Sequence, residues 1–365
     1  MFEERPVLVF WETTRACPLA CLHCRASAIP DRLPDELSGE EGHALIDRLR
    51  DFGTPYPTLI LTGGDPLQRP DLFALIEHAR AQRLHVAVSP AVSDALNAAT
   101  MARLAELGVA SISVSLDGGS AAAHERVRGV PGHFERTRAA ITTALDLGLR
   151  VQVNSTVMAE NVRELPSLFE SIVGWGVRTW EVFFLIRTGR GAGLAELSSE
   201  ETEDVGQFLY DASRYGVLIR PVEAPFLRRI RRQREAGGPA GGPLYAALRD
   251  ELERRMGPGT QPSSIAPRGT LDGDGILFVG NDGTIYPGGF LPERLGNVRR
   301  DDLVSVYRDH PLLQRIRARD LGDACGTCTH RFECGGSRAR AFARTGDPLA
   351  ADPACHFAVP VRVGA

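Results

Sequence analysis

The chain has 365 residues, 43% of them apolar and 24% charged, enough for one large folded domain, a smaller companion and a substantial buried core. Its formal net charge of -4, from 46 acidic and 42 basic residues, gives no general attraction to nucleic acid, and none is expected as a partner. No run approaches the roughly 18 to 20 uncharged apolar residues that cross a bilayer, and the opening MFEERPVLVF lacks the basic flank and cleavage site of an export signal, so the expectation is a cytoplasmic protein with no membrane partner.

All 42 basic residues are arginine, so a pyridoxal cofactor held as a lysine Schiff base is excluded. Seven cysteines in such a chain point to metal or redox chemistry rather than disulfides.

From residue 7 to about 220 one theme repeats, a short β-rich apolar run followed by an amphipathic helical pattern closed by glycine. The runs are 7–12 (VLVFWE), 57–63, 84–90, 110–116, 150–156 and 178–186 (RTWEVFFLI). A helix is predicted to start at Ser38, with Glu41 completing a capping box and Leu45, Ile46, Leu49 and Phe52 forming the buried stripe. Others end at Gly108, Gly148 and Gly176, placed for the left-handed turn into the next strand. Six strand–helix units predict an α/β fold, a partial (β/α)6 TIM-like barrel over residues 1–225. Residues 226–270, with RRIRRQRE, AGGPAGGP and one short helix around YAALRDELERR, read as a bridging linker. The arginines of RRIRRQRE read as an exposed basic helix face. Residues 271–365 form a third unit that opens with a hairpin, ILFVGNDGTIYP, turning at Asn281, Asp282 and Gly283.

Three cysteines fall in eight residues, Cys17, Cys21 and Cys24, directly after the first strand. Three thiolates at this spacing can wrap one corner of a four-iron cubane and leave one iron open to a small molecule. A structural zinc held by these thiols and His23 is the alternative. Cys325, Cys328, Cys334 and Cys355 supply four more thiolates, enough to close a second 4Fe-4S cluster or to form a zinc ribbon.

CPLACLHC (17–24) resembles the Cys-x3-Cys-x2-Cys motif of the radical S-adenosylmethionine (SAM) superfamily, and the partial barrel resembles that superfamily's core. The resemblance implies a catalytic 4Fe-4S cluster on the three thiolates, with SAM on the open iron. It also implies cleavage of SAM to a 5'-deoxyadenosyl radical, and a flavodoxin- or ferredoxin-type electron donor. LTGGDP (61–66) resembles the family's Gly-Gly-Glu motif, which implies SAM contacts at Gly63, Gly64 and Asp65, with aspartate in place of glutamate. By the same resemblance Ser115, Asp117 and Asn154, at the ends of the fourth and fifth strands, face the ribose and methionyl part. Arg128 is expected to pair with a carboxylate, and Val157, Leu185 and the backbone of His23 to meet the adenine. Residues 295–355 resemble the SPASM/twitch extensions that carry auxiliary clusters. CGGSRARAFARTGDPLAADPAC looks most like the enzymes of the alternative-haem and d-type-haem pathways. Two positions depart from that pattern: Gly288 after YP, and Ser337, both cysteine in many such proteins, so one auxiliary cluster on four cysteines is expected rather than two.

These readings predict a radical SAM enzyme that abstracts hydrogen from a tetrapyrrole-like substrate, with Arg187 or Arg190 as candidate propionate partners and the arginines of RRIRRQRE as a further candidate beside their reading as an exposed face. The first alternative is maturation of a ribosomally made peptide. It is disfavoured here because the first strand starts within seven residues of the beginning. The second is a non-catalytic iron-sulfur sensor or scaffold. No acid or base stands out; Glu12, Glu181 and His124 are expected near the barrel mouth.

Overall fold

A computed structural model describes residues 2–238, 240–266 and 269–357. The ends of the bridging and C-terminal units that fall at 239, 267, 268 and beyond 357 lie outside the described residues. Six strands form on the six predicted runs: β1 (Leu8–Glu12), β2 (Thr58–Thr62), β3 (Val86–Val88), β4 (Ser111–Ser115), β5 (Val151–Val157) and β6 (Thr179–Phe184). Each pairs in parallel with the next. A seventh strand, β7 (Leu218–Val222), pairs with β6 where none was predicted. Its sequence LIRPV contains a proline, which cannot donate to a ladder and is tolerated at a sheet edge; β7 occupies that edge.

Side chains alternate between two environments along these strands. Ile112, Val114, Val153, Trp180 and Val182 are buried against the helices, whereas Ser113, Ser115, Gln152, Asn154, Glu181 and Phe183 face the partly open interior of the barrel. The helix-facing side is tightly packed: Trp11 presses on Gly42, where a β-carbon would come within 2.6 Å of its ring. Ser38 accepts from the Glu41 backbone and Glu41 reaches back, as predicted. Gly108, Gly148 and Gly176 take the left-handed turns, with φ of 72°, 77° and 82°.

The bridging segment is more ordered than its composition suggests. It carries two helices, Leu227–Glu235 and Pro243–Met256, which bury Leu227, Ile230, Tyr245, Leu248 and Leu252. RRIRRQRE is not an exposed basic face. Arg228 and Arg229 are buried; Arg228 donates to the carbonyls of Glu333 and Thr270, Arg229 pairs with Glu203, and Arg234 pairs with Asp211. A buried guanidinium needs such partners, and sequence-distant acids supply them.

The predicted hairpin is present as β9 (Gly275–Val279) and β10 (Thr284–Tyr286), preceded by the short β8 (Leu271–Asp272) and followed by β11 (Gly296–Asn297). It does not form a sheet of its own. β9 runs parallel to the outer edge of β1, so the barrel sheet continues in the order β11-β10-β9-β1-β2-β3-β4-β5-β6-β7, with β8 attached to β9. Among the described residues no helix is long and apolar enough to cross a membrane.

Candidate active site at the end of the first strand

The chain leaves β1 at Glu12 and runs across the top of β2 before reaching Cys17. Gly64 N donates to Thr14 O (2.8 Å) and Asp65 N to Ala16 O (2.7 Å). A β-carbon at Gly63 would overlap Thr14 O, and one at Gly64 would overlap Ala16 O. The two glycines are therefore required so that the cysteine loop's own backbone can approach this strand end. Glu36 fixes the other side of the loop, accepting from Thr14 Oγ1 (2.8 Å) and Arg15 N (2.9 Å). Arg190, in the loop after β6, grips it from above through Cys21 O (2.9 Å) and Ala28 O (2.7 Å). Two of its three nitrogens are taken up by the loop and Nη2 has no partner among the described residues, while Arg187 is exposed and donates to Ala192 O.

The three thiols gather in an apolar hollow with Leu19, Ala28, Ala91 and Val130, and none of the seven cysteines forms a disulfide. Each sulfur receives one N–H: Leu19 N to Cys17 (3.4 Å), Arg128 Nη1 to Cys21 (3.5 Å) and Ala28 N to Cys24 (3.5 Å). Burial pushes the Cys17 thiol up to about 11, so its proton leaves readily only when a metal takes its place. Among the described residues no three His, Cys, Asp or Glu side chains close tightly around a point as ligands of a single metal ion. Three soft donors spread around a hollow, each with a hydrogen-bond donor at sulfur, fit a cubane.

The structure gives several predicted contact residues another occupation. Asp65 is fully buried and its carboxylate accepts from Leu67 N, Gln68 Nε2, Ala91 N and Ser93 Oγ. It ties the β2 and β3 ends together, leaving the glycine backbone as the part of the motif that faces the cysteine loop. Asp117 is likewise spent on the protein, with Oδ2 on His23 Nε2 (3.0 Å) and Arg128 Nη2 (2.5 Å), and Oδ1 on Thr156 N (2.8 Å). It is 1% exposed. Burial opposes its ionisation, but Arg128 and then His23 outweigh this and hold the carboxyl well below the usual range. Arg128 pairs with Asp117 through Nη2, while its buried Nε has no partner among the described residues.

Behind Asp117 lies a histidine pair. Asp117 N donates to His124 Nδ1 (3.1 Å), His124 Nε2 meets His133 Nδ1 (2.8 Å), and His133 Nε2 donates to Val92 O (3.1 Å). The two ends fix both tautomers and keep both rings neutral. Burial, with Arg128 next, lowers His124 to about 3 and His133 to about 4. His124 is therefore a support behind the site and not a mouth acid or base.

Ser115 and Asn154 are register partners on the interior face. Val157 turns its side chain into the helix-facing core, and Leu185 packs with Val127 and Met158. Gly191 sits over both Leu185 and the His23 backbone, at 3.4 and 3.5 Å from where its β-carbon would be. Deeper in the interior, Gln152 Nε2 bridges Asn154 (2.8 Å) and Glu181 (3.0 Å). Burial pushes Glu181 up to about 7 against the charge of Arg220.

The sequence reading missed Arg25. It pairs with Glu12 (2.5 Å) and lies over the ring of Phe278 (4.7 Å), while Phe290 stands between it and Phe183. One guanidinium and three rings thus form a wall beside the cysteine loop. Only its position directly after Cys24 signals this in the sequence.

Cys325, Cys328, Cys334 and Cys355 line one cleft with Phe226, Arg229 and Phe357. Backbone N–H groups of Asp352, His330 and Gly336 point at the sulfurs of Cys325, Cys328 and Cys334 (3.4, 3.3 and 3.4 Å). Burial, aided by Asp352 and the neighbouring thiols, pushes Cys334 up to about 12. Four thiols around one cleft leave no side open in the way that three do.

The sequence profile of the radical SAM superfamily matches residues 11–172. An AdoMet-dependent heme synthase of Nitratidesulfovibrio vulgaris is 34% identical over 354 residues, covering 96% of this chain and 92% of that protein. The mycofactocin maturase MftC of Mycobacterium ulcerans is 28% identical, covering 96% and 88%. Among solved structures, native anSMEcpe with bound AdoMet superposes with a TM-score of 0.66 at 15% identity over 95% of this chain and 93% of that one, a likeness of fold.

Proposed function

This chain belongs to the radical SAM superfamily, and from that premise we propose that it removes a hydrogen atom from a carboxylated side chain of a haem-type tetrapyrrole bound over the barrel mouth. The observation that carries the substrate choice is the 34% identity to a heme synthase along nearly the whole of both chains. In this reading Cys17, Cys21 and Cys24 hold the catalytic 4Fe-4S cluster, and Cys325, Cys328, Cys334 and Cys355 hold an auxiliary one. The backbone of Gly63 and Gly64, with Ser115 and Asn154, receives SAM, and His23, Leu185 and Gly191 border the adenine. When bound, the catalytic cluster and SAM together supply a 5'-deoxyadenosyl radical.

The remaining work belongs to side chains. Asp117, pinned by Arg128 and the His124–His133 pair, holds His23 and the strand ends in place. Arg25 seats a substrate carboxylate by exchanging Glu12 for it, a charge-assisted contact in a part-buried site. Phe183, Phe278 and Phe290 offer the flat apolar surface that a macrocycle requires. Glu181, raised by burial to about 7, is partly protonated near neutral pH, which lessens the negative charge that would repel that carboxylate. The electron that starts the reaction comes from a reduced flavodoxin or ferredoxin.

The test is anaerobic reconstitution followed by incubation with SAM, reductant and either an iron porphyrin bearing propionates or a candidate precursor peptide. Release of propionate-derived CO2 in step with 5'-deoxyadenosine is expected, the one electron left on the side chain going to an acceptor, a role that a cluster on the four C-terminal cysteines would supply. Modification of the peptide alone would move the assignment to the maturase side, where MftC stands.

A further inference from the structure

The two positions at which the C-terminal segment departs from its family pattern, Gly288 and Ser337, come together in the folded chain around two acids. A β-carbon at Gly288 would overlap the carboxylate of Asp272, so this glycine makes the space that Asp272 fills. Ser337 Oγ accepts from Arg340 N (2.9 Å) and donates to Glu223 Oε2. Glu223 and Asp272 hydrogen-bond one another.

Glu223 is the first residue after β7, held at a left-handed φ of 57°; Asp272 is in β8, which attaches to β9 near the other end of the sheet. The contact therefore spans the gap that an incomplete barrel leaves. Two carboxyl groups can hydrogen-bond only through a proton, and no protein donor reaches the buried Asp272 Oδ2. Burial raises both groups, Asp272 most; Glu223 raises Asp272 further, while the hydrogen bond from Asp272 works to lower Glu223, so the shared proton sits on Asp272. The opposing charges are Arg338 facing Asp272 and Arg340 facing Glu223; Asp352 adds to the rise, while the Ser337 hydroxyl works against it.

We propose that Glu223 and Asp272 form a proton-sharing latch that pins the free edge of the barrel to the C-terminal segment and so positions the four-cysteine cleft relative to that edge. From the latch a continuous line reaches the thiols. Asp352 accepts from Ser337 N (2.8 Å) and is gripped by Arg340 (3.2 Å), which also donates to Glu223 O (2.8 Å). The Asp352 N–H points at Cys325, and its carbonyl accepts from Cys355 N (3.1 Å). These are positioning residues. They touch neither the reacting atoms nor, as acids, the cysteines.

A carboxyl whose folded-state pKa is raised contributes stability that is complete at low pH and is lost as pH rises through that pKa. The latch is therefore closed at mildly acidic pH and opens as the shared proton departs and two buried anions repel. Hydrogen exchange of the reconstituted holoenzyme tests this. Beyond the intrinsic pH dependence, exchange in residues 218–222 and 338–345 should rise by about tenfold per pH unit above the titration, while the β2 and β4 amides stay protected. Asp272→Asn, which supplies an amide donor that cannot be lost, should abolish that extra rise and keep the segments protected at alkaline pH. Glu223→Gln places the donor on the other partner and serves the same purpose should Asp272→Asn fail to fold. The proposal is overturned if both variants keep the wild-type pH slope, or if exchange rises equally throughout the chain.

Discussion

The chain's two thiol sites are held in opposite ways. The N-terminal loop is bound by backbone and side-chain contacts from β2, Glu36, Arg128 and the loop after β6. Its shape is thus a property of the whole barrel. The C-terminal thiols sit on a five-residue helix, Asp323–Thr327, and on turns, fastened mainly by local N–H to sulfur contacts and by Asp352. A three-thiol site must keep its geometry while one side stays open to a ligand, so the surrounding protein provides the rigidity. A four-thiol site encloses its metal and can depend on it for order, as small metal-stapled segments do.

Cysteine replacement is the sharpest way to break this contrast. Cys24→Ala should reduce 5'-deoxyadenosine formation to background in an otherwise folded barrel. Cys334→Ala should spare uncoupled SAM cleavage while lowering the melting temperature of the C-terminal segment and ending full turnover. Loss of the first cluster's electron paramagnetic resonance signal in Cys334→Ala would mean that the two sites have been divided wrongly.

Gly64→Ala comes next, because its β-carbon meets the Ala16 and Arg15 carbonyls, which are backbone and cannot swing aside. Chemical denaturation should show about 1–3 kcal/mol of destabilisation, and the iron content of the first site should fall with the second unaffected. Arg25→Gln should weaken binding of an iron porphyrin by roughly tenfold to a hundredfold, as loss of a charge-assisted contact predicts. It should leave uncoupled SAM cleavage and binding of the porphyrin's dimethyl ester within about twofold. Equal weakening of acid and ester would assign Arg25 a purely structural role with Glu12.

The smallest effect is a slope. His124 and His133 have folded-state values near 3 and 4, below the ordinary 6.5. Their stabilisation is present above pH 6.5 and is lost as pH falls towards those values, because only the unfolded chain takes up the protons. His133→Gln should make that loss shallower by one proton, about 1.4 kcal/mol per pH unit, read from urea midpoints across the range.

Much of this architecture was legible in order along the chain. The strand–helix alternation, the Ser38 cap and the terminal glycines are local signals, and local structure follows them. The cysteine spacing likewise belongs to one loop. β7 escaped notice because Arg220 and Pro221 interrupt its apolar run, and only its place at the edge reconciles them. Asp117 and Asp65 read as polar groups at strand ends and Arg128 as a carboxylate partner, but their contacts, including His23 and Ser93, come from residues many positions away. Spacing therefore could not show that their charges and lone pairs were already spent. The burial of Arg228 and Arg229 was hidden for the same reason, since the acids and carbonyls that neutralise them come from residues 203, 270 and 333.

Arg190 reaches back 169 residues to Cys21 and 162 to Ala28, which sets an order of events in biogenesis. A nascent chain that has delivered only its cysteine motif lacks the clasp that shapes it. The shape of the cysteine loop is accordingly complete only once β6 and its following loop have docked.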